Sequence, residues 1–150
     1  MTITRDDLLE ILRKLIARYC DQKIYNPEIP ESYNGALLVT NHISRLDIVF
    51  LMLSTKRKDV IALTASNYRR AFFFSTILKK LGVIWLDRGE SDFKAMRETA
   101  EYLKKGWIVG LAPEGKRSRS GKLMKAKPGA VLIAMKTGVP IIPVGLVGTA

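Results

Sequence analysis

His42 is the only histidine in this chain of 150 residues, and it lies five residues before Asp47 in the stretch TNHISRLDIVF (40–50). The apolar run ALLV comes just before this stretch, so we expect His42 directly after a buried strand, where open α/β sheets place their ligands. A neutral imidazole can take a proton from a hydroxyl near neutral pH, and a carboxylate on its other nitrogen would fix the tautomer. His42 and Asp47 are therefore a candidate catalytic base and its orienting acid.

A structural interpretation of the same stretch is also open. The residues Ser44 to Asp47 fit the S-x-x-D pattern of a capping box, in which Asp47 would only satisfy the first amides of a helix beginning near Ser44. The two interpretations are compatible, because such a helix would hold Asp47 within reach of His42. These residues alone do not decide between them.

A second candidate group is the basic loop, which we define as residues 113–127. It contains one acidic residue, Glu114, and six cationic residues: Lys116, Arg117, Arg119, Lys122, Lys125 and Lys127. Arginine and lysine at this density favour phosphate recognition, with a solubilising charged loop as the alternative. The loop has no aromatic residues on which bases could stack, so specific nucleic-acid binding is not expected. A third candidate is Arg88 in GVIWLDRGE, for which a strand-end salt bridge is the structural alternative.

Several other kinds of site are disfavoured. One histidine and one cysteine leave too few ligands for a zinc centre, and no G-x-S-x-G motif of a serine hydrolase occurs. The segment from Gly110 to Lys116 approaches a P-loop, but Arg117 stands where a magnesium-binding Ser or Thr is needed. Cys20 lies on or beside the apolar stripe of the first helix, so we expect it to be buried. The net charge of +11 favours anionic partners.

The elements that must position these residues alternate along the chain. Residues 4–20 have the spacing of an amphipathic helix with a Thr4–Asp7 capping box, and this helix could dock on the core or lie on an anionic lipid surface. Strands are predicted at 36–39, 60–65, 83–86, 107–112 and 139–148, with helices at 46–54, 68–81, 92–106 and 129–138 between them. This alternation predicts an α/β fold with a mainly parallel, layered sheet flanked by helices and preceded by the amphipathic helix.

Four short motifs together resemble a known family. They are Asn41-His42-x-Ser44-x-x-Asp47, the Arg88 of GVIWLDRG, Pro113-Glu114-Gly115 followed by Arg117-Ser118, and VPIIPV at 139–144. Their order and spacing, over residues 36–150, are similar to those of the glycerolipid acyltransferases of the lysophosphatidic acid acyltransferase type. The chain departs from the usual Phe-Pro-Glu-Gly-Thr-Arg-Ser motif at Ala112 and Lys116.

The resemblance implies a glycerol-3-phosphate acyltransferase-like fold and transfer of a fatty acyl group from coenzyme A or acyl carrier protein to the hydroxyl of lysophosphatidic acid. It implies that His42 deprotonates the acceptor and that Asp47 orients His42. It further implies that the acceptor is bound by the other motif residues: Asn41, Ser44, Arg88, Glu114, Gly115, Lys116 and Arg117. Neither a metal nor a cofactor is implied.

The resemblance also leads us to expect an N-terminal helix and linker at 1–30 and an acyltransferase domain at 31–150, shortened at its C-terminal end relative to the family. No signal peptide or membrane-spanning run is recognisable, so we expect a peripheral protein on the cytoplasmic side of an anionic membrane. Two alternatives remain open. One is a related acyltransferase acting on glycerol 3-phosphate or a lyso-amino-acid lipid, and the other is a non-enzymatic basic module that binds anionic lipid or nucleic acid.

Overall fold

The structure is a computed structural model that describes residues 3–70, 72–87 and 92–149, with the side chains of Phe72 and Phe73 left aside. Helices and strands alternate as the apolar pattern predicts. They are α1 (Arg5–Tyr19), β1 (Ala36–Thr40), α2 (Asp47–Leu53), β2 (Val60–Ala65), α3 (Phe72–Leu81), β3 (Ile84–Leu86), α4 (Phe93–Lys104), β4 (Ile108–Leu111), α5 (Gly129–Thr137) and β5 (Ile141–Val144). Two 3-10 turns, Ile29–Ser32 and Ser66–Arg70, precede β1 and α3.

The strands form one five-stranded sheet in the order β3-β2-β4-β1-β5, and each neighbouring pair is parallel. The predicted α/β fold with a parallel sheet is therefore confirmed. Because the strands run in the same direction, their carboxyl ends lie at one edge of the sheet. The turn after β1, which carries His42, thus lies between the turns that follow β4 and β5.

Both faces of the sheet are covered by helices, so its central strands are apolar on both sides. In β1, Leu38 belongs to the core cluster with α1, α2 and α3, whereas Leu37 belongs to the cluster with α4 and α5. Both of these leucines are fully buried. This two-sided burial explains why the strands read as continuous apolar runs and not as alternating ones.

A close approach between α2 and β4 sets the position of α2. A Cβ atom on Gly110 of β4 would lie 2.6 Å from Cδ2 of Leu51, so a larger residue at this position would force the Leu51 side chain to move. Real Cβ contacts essentially never occur below 3.0 Å. The packing at Gly110 therefore holds α2 directly against the sheet, with its first residue, Asp47, towards the edge where the strands end.

The N-terminal helix α1 docks on the core. Its capping box is present: Asp7 N–H donates to Thr4 Oγ1 (3.2 Å), and Thr4 N–H donates to Asp7 Oδ2 (2.9 Å). The Arg5 guanidinium donates to the backbone carbonyls of Lys58, Val60 and Leu81, which join the start of the helix to the ends of other elements. Of the two alternatives predicted for this helix, the structure shows docking on the core.

Docking leaves part of the helix uncovered. Ile11, Leu15 and Tyr19 remain exposed on α1. Cys20 is also exposed, so its predicted burial is wrong: α1 ends at Tyr19, and Cys20 already has extended backbone angles that take it off the helical stripe. Across residues 3–70, 72–87 and 92–149, no helix combines the length and apolar character that a membrane crossing requires.

Candidate active site

His42 and Asp47 contact each other directly. Nδ1 of His42 lies 2.9 Å from Oδ2 of Asp47, whose side chain is 2% exposed against 19% for His42. An ionised carboxylate only accepts hydrogen bonds, so Nδ1 of the neutral imidazole carries the proton. The unprotonated Nε2 is then the nitrogen that can act as a base. This is the geometry expected of a base and its orienting acid.

The Asp47 carboxylate is held from both sides. Oδ2 also accepts from the backbone amides of Ile43 (2.6 Å) and Ser44 (2.8 Å), while Oδ1 accepts from the hydroxyl of Thr149 (2.6 Å). Burial alone would raise the pKa of this carboxyl, but the hydrogen bonds from Thr149, His42 and the two amides outweigh it, and the pKa lies below its usual value. Asp47 is therefore a fixed, buried anion.

The helix predicted at 46–54 is present, but the start near Ser44 that the capping-box interpretation requires is not observed. The helix begins at Asp47, its N-cap is Leu46, and the cap makes no side-chain hydrogen bond. Half of the predicted capping box exists, because the Asp47 carboxylate does bind the amide of Ser44. This contact closes the turn that carries His42. The Asp47 carboxylate therefore has both the structural role and the contact with His42 that the catalytic interpretation requires.

The basic loop is joined to the turn that carries His42. The buried Glu114 accepts from the amide of His42 through Oε1 (3.3 Å) and from that of Met124 through Oε2 (3.1 Å). The amide of Ser118 donates to the carbonyl of His42 (2.7 Å), so the backbone of His42 is held at both its N–H and its C=O. Both carboxylate oxygens of Glu114 accept hydrogen bonds from backbone amides. These contacts favour a role in holding the turn of His42 over direct contact with the acyl-acceptor substrate.

Asn41 connects the same turn to the chain after β5. Its side chain donates through Nδ2 to the carbonyl of Leu146 and accepts at Oδ1 from the amide of Leu146, both at 2.8 Å. This reciprocal pair fixes the segment 145–149, which delivers Thr149 to Asp47. Asn41 therefore acts on the site through the backbone that it holds.

A cavity of about 760 Å³ lies along the edge where the strands end, and His42 and Asp47 form part of its wall. Among the residues that the structure describes, three cationic ones line it: Arg45, Lys116 and Lys127. Apolar side chains line much of the remaining wall, among them Ile48, Leu63, Phe74, Leu86, Met96 and Leu111, and the acidic residues Asp87, Asp92 and Glu114 also line it. A site with a base, cations and a long apolar wall suits a substrate that is anionic at one end and hydrocarbon at the other.

Gly115 shapes the cationic side of this cavity. Its φ of +71° is a left-handed conformation, and a Cβ here would lie 3.1 Å from both Cε and Nζ of Lys127. The Lys127 side chain therefore lies across the glycine, while its amide closes the loop by donating to the carbonyl of Pro113 (2.8 Å). Within the described residues, neither Lys116 nor Lys127 is part of an ion pair, so both charges are available to a ligand.

Comparison with known proteins agrees with this geometry. The family model described as Acyltransferase matches residues 21–147.

The chain belongs to the acyltransferase family.

Curated relatives give the same result for this acyltransferase. It is 36% identical over 126 residues to the chloroplastic 1-acyl-sn-glycerol-3-phosphate acyltransferase LPAT1 of Arabidopsis thaliana. The matched region covers 81% of this chain and 34% of the relative. It is 30% identical over 123 residues to the 1-acyl-sn-glycerol-3-phosphate acyltransferase of Borreliella burgdorferi, covering 81% of this chain and 48% of the relative. The chain thus spans about a third to a half of the length of these relatives.

A solved structure has the same architecture. The 1-acyl-sn-glycerophosphate acyltransferase PlsC from Thermotoga maritima superposes with a TM-score of 0.72 at 28% identity, over 93% of this chain and 57% of that chain. The resemblance drawn from the four motifs is therefore confirmed at the level of family and fold.

The acyltransferase structure brings together only some of the residues predicted from the motifs. His42, Asp47, Glu114, Gly115 and Lys116 line the cavity. In the part of the chain that the structure describes, Asn41, Ser44 and Arg117 do not line it, and Arg88 lies outside the described residues.

The structure adds residues that sequence reasoning missed at this site. Arg45 and Thr64 line the cavity, and Thr149 contacts Asp47. Lys127 lines it as well; the sequence indicated it only as one of six cations in the basic loop and did not distinguish it from the others.

Proposed function

We propose that this chain carries the catalytic domain of a 1-acyl-sn-glycerol-3-phosphate acyltransferase. It would transfer a fatty acyl group from an acyl thioester to the free hydroxyl of lysophosphatidic acid, forming phosphatidic acid. The observation that carries the proposal is the contact of 2.9 Å between His42 Nδ1 and Asp47 Oδ2, in the wall of a cavity with cationic and apolar sides. The names of the curated relatives support the choice of acceptor.

In the proposed reaction, Nε2 of His42 takes the proton of the acceptor hydroxyl as its oxygen attacks the thioester carbonyl. A C–O bond forms and the C–S bond breaks, after which the imidazolium returns its proton to the departing thiolate. The buried anion of Asp47 keeps the tautomer correct and stabilises the imidazolium that forms transiently. The step needs no covalent acyl-enzyme, no metal and no organic cofactor.

The cations beside the base have a separate task in the proposal. Lys116 and Lys127 lie on the wall of the cavity next to Gly115, and Arg45 lies on the turn that carries His42. Binding the acceptor phosphate there would place the hydroxyl near His42, which is how binding energy at a remote group lowers the barrier to reaction.

The donor is proposed to be a fatty acyl thioester of coenzyme A or of acyl carrier protein. Both carriers are anionic, and the exposed cations of the basic loop outside the cavity, such as Arg117 and Arg119, offer them a positive surface. The apolar wall of the cavity would receive the hydrocarbon chain.

The proposed location is the cytoplasmic surface of an anionic membrane, with the protein bound peripherally. On α1, the exposed Ile11, Leu15 and Tyr19 lie beside the exposed cations Lys14 and Arg18. Apolar and basic residues together on one helix favour a lipid surface, and the net charge of +11 adds to the attraction.

An assay against a panel of acceptors and donors tests the proposed function. The purified chain is incubated with acyl-CoA or acyl-ACP and with lysophosphatidic acid, glycerol 3-phosphate or a lyso-amino-acid lipid, and the products are identified by mass spectrometry. We expect phosphatidic acid from lysophosphatidic acid at a higher kcat/KM than for the other acceptors. A preference for another acceptor would contradict the proposed substrate. Salt-sensitive binding to anionic vesicles without any turnover would instead favour a non-enzymatic module.

A further inference from the structure

Thr64 is a buried hydroxyl residue without a partner in the wall of the cavity. It lies one residue before the end of β2 and is 7% exposed, and its Oγ1 has no hydrogen-bond partner within the described residues. The same residue lines the cavity that holds His42. Buried hydroxyls in folded proteins nearly always have a partner, so an unpaired one in a residue that lines a cavity points to a ligand.

The surroundings of Thr64 give no structural reason for a hydroxyl. On β2, side chains alternate between the two faces, and Val60 and Ala62, which share the face of Thr64, are fully buried in the apolar core. Phe74, which lines the same cavity, is also apolar. Valine has nearly the same shape as threonine and would fit this position without an unpaired polar atom.

We infer that Thr64 is a substrate-binding residue whose hydroxyl donates a hydrogen bond to a carbonyl oxygen of a bound fatty acyl group. This inference rests on the proposed function, because the acyl substrates supply the carbonyl. A hydrocarbon chain against the apolar wall offers no hydrogen-bond acceptor to Thr64. The hydrogen-bond acceptor is therefore the carbonyl oxygen at the head of the chain. Two sources share this chemistry: the thioester of the donor and the ester of the lysophospholipid.

If Thr64 binds the carbonyl, its hydroxyl should increase the affinity for ligands that carry the carbonyl and not for ligands that lack it. A site built to hydrogen-bond a polar group discriminates against an analogue that lacks this group, because the buried partner is then left unpaired. Removing the hydroxyl should therefore weaken only the ligands that carry the carbonyl. A residue that merely packs against the chain would affect both kinds of ligand equally.

The test compares Thr64→Val, which keeps the shape, with Thr64→Ser, which keeps the hydroxyl. Binding to each variant is measured from ligand-induced shifts of Tm, which need no turnover, for two matched pairs of ligands. The first pair is an acyl-CoA thioester and the S-alkyl thioether of coenzyme A. The second pair is acyl lysophosphatidic acid and its 1-O-alkyl ether analogue. Melting of each variant without ligand shows whether it is folded.

We expect Thr64→Val to lose roughly three- to tenfold in affinity for the carbonyl-bearing member of one pair and less than twofold for its carbonyl-free partner. Thr64→Ser should retain most of the affinity. Loss in the first pair assigns the thioester carbonyl, and loss in the second assigns the ester of the acceptor. The inference is overturned if neither pair is affected, if both members of a pair weaken equally, or if Thr64→Ser binds as poorly as Thr64→Val.

The inference and the proposed function fail in different ways. A wild-type chain that binds these ligands but transfers no acyl group refutes the proposed function and still reports on Thr64. A chain that transfers acyl groups normally as Thr64→Val, with unchanged affinities, refutes the inference and leaves the proposed function intact.

Discussion

The hydroxyl of Thr149 donates a hydrogen bond of 2.6 Å to Oδ1 of Asp47, although the two residues are 102 positions apart in the sequence. The other carboxylate oxygen, Oδ2, binds His42. The candidate acid is therefore held by the turn after β1 on one side and by the chain after β5 on the other. Asp47 can orient His42 only while both sides are in place, which gives the segment 145–149 a direct part in the proposed chemistry.

Removing this hydroxyl should impair catalysis without removing any group that touches the substrate. We expect Thr149→Val to lower kcat roughly tenfold with little change in KM, because a charge-assisted hydrogen bond contributes about 1.5–3 kcal/mol. Thr149→Ser keeps the hydroxyl and is the matched control. Steady-state kinetics of the three proteins measure the effect, and equal kcat values for Thr149→Val and wild type would refute the positioning role.

The same variant should change how stability depends on pH. The pKa of Asp47 is lowered in the folded protein, so its ionised form stabilises the fold above the unfolded-state pKa, near ~3.9. This stabilisation is lost as the pH falls through the folded-state pKa. Thr149→Val raises the folded-state pKa, so it should destabilise the protein at pH 7 and by less below about pH 4. Urea unfolding at both pH values measures this, and a destabilisation independent of pH would contradict it.

Glu114 offers a test of how the basic loop is attached. In Glu114→Gln, only the side-chain oxygen can accept a hydrogen bond. The NH2 group then faces one of the two backbone amides, of His42 or of Met124, that the carboxylate satisfies in the wild type. We expect faster amide exchange at His42 or at Met124, whichever amide loses its acceptor, and a local cost of about 1–3 kcal/mol. Glu101→Gln, an exposed position on α4, is the control. Unchanged exchange at both amides would mean that Glu114 does not hold the loop.

Lys127 should bind the acceptor phosphate if the cationic side of the cavity has the proposed task. We expect Lys127→Ala to raise the KM for lysophosphatidic acid by about tenfold, in line with the loss of one charge-assisted contact. Lys125→Ala removes the same charge from the same loop at an exposed position that does not line the cavity. Equal effects of the two substitutions would indicate general electrostatic attraction and no specific site.

Much of the fold could be predicted because each element carries its own signal. Apolar runs rich in Val, Ile and Leu identify the strands, and the five-residue spacing of His42 and Asp47 already allows contact when His42 lies in the turn before α2. What could not be predicted is which strands become neighbours. The order β3-β2-β4-β1-β5 places β1 between β4 and β5, so the loops after β4 and β5 both reach the turn of His42.

Two of the residues missed at the site depend on this order. The contact of Thr149 with Asp47 requires β5 beside β1, and the position of Thr64 in the cavity requires β2 beside β4. Thr64 also reads as an ordinary strand residue within VIALTA, since threonine favours strands whether or not it binds a ligand. What distinguishes it is its burial with no hydrogen-bond partner among the described residues, and burial is a property of the packed fold.

The central claim is that His42 is the base of an acyl transfer, and the turnover of His42→Ala tests it most directly. Acyl transfer to lysophosphatidic acid is measured for wild type and His42→Ala, with Tm and circular dichroism used to match their folding. General-base catalysis contributes about 10²–10⁴-fold, so we expect kcat to fall by at least about a hundredfold. A folded His42→Ala protein whose kcat stays within about threefold of wild type would contradict the account, because a base that contributes so little falls well below that range.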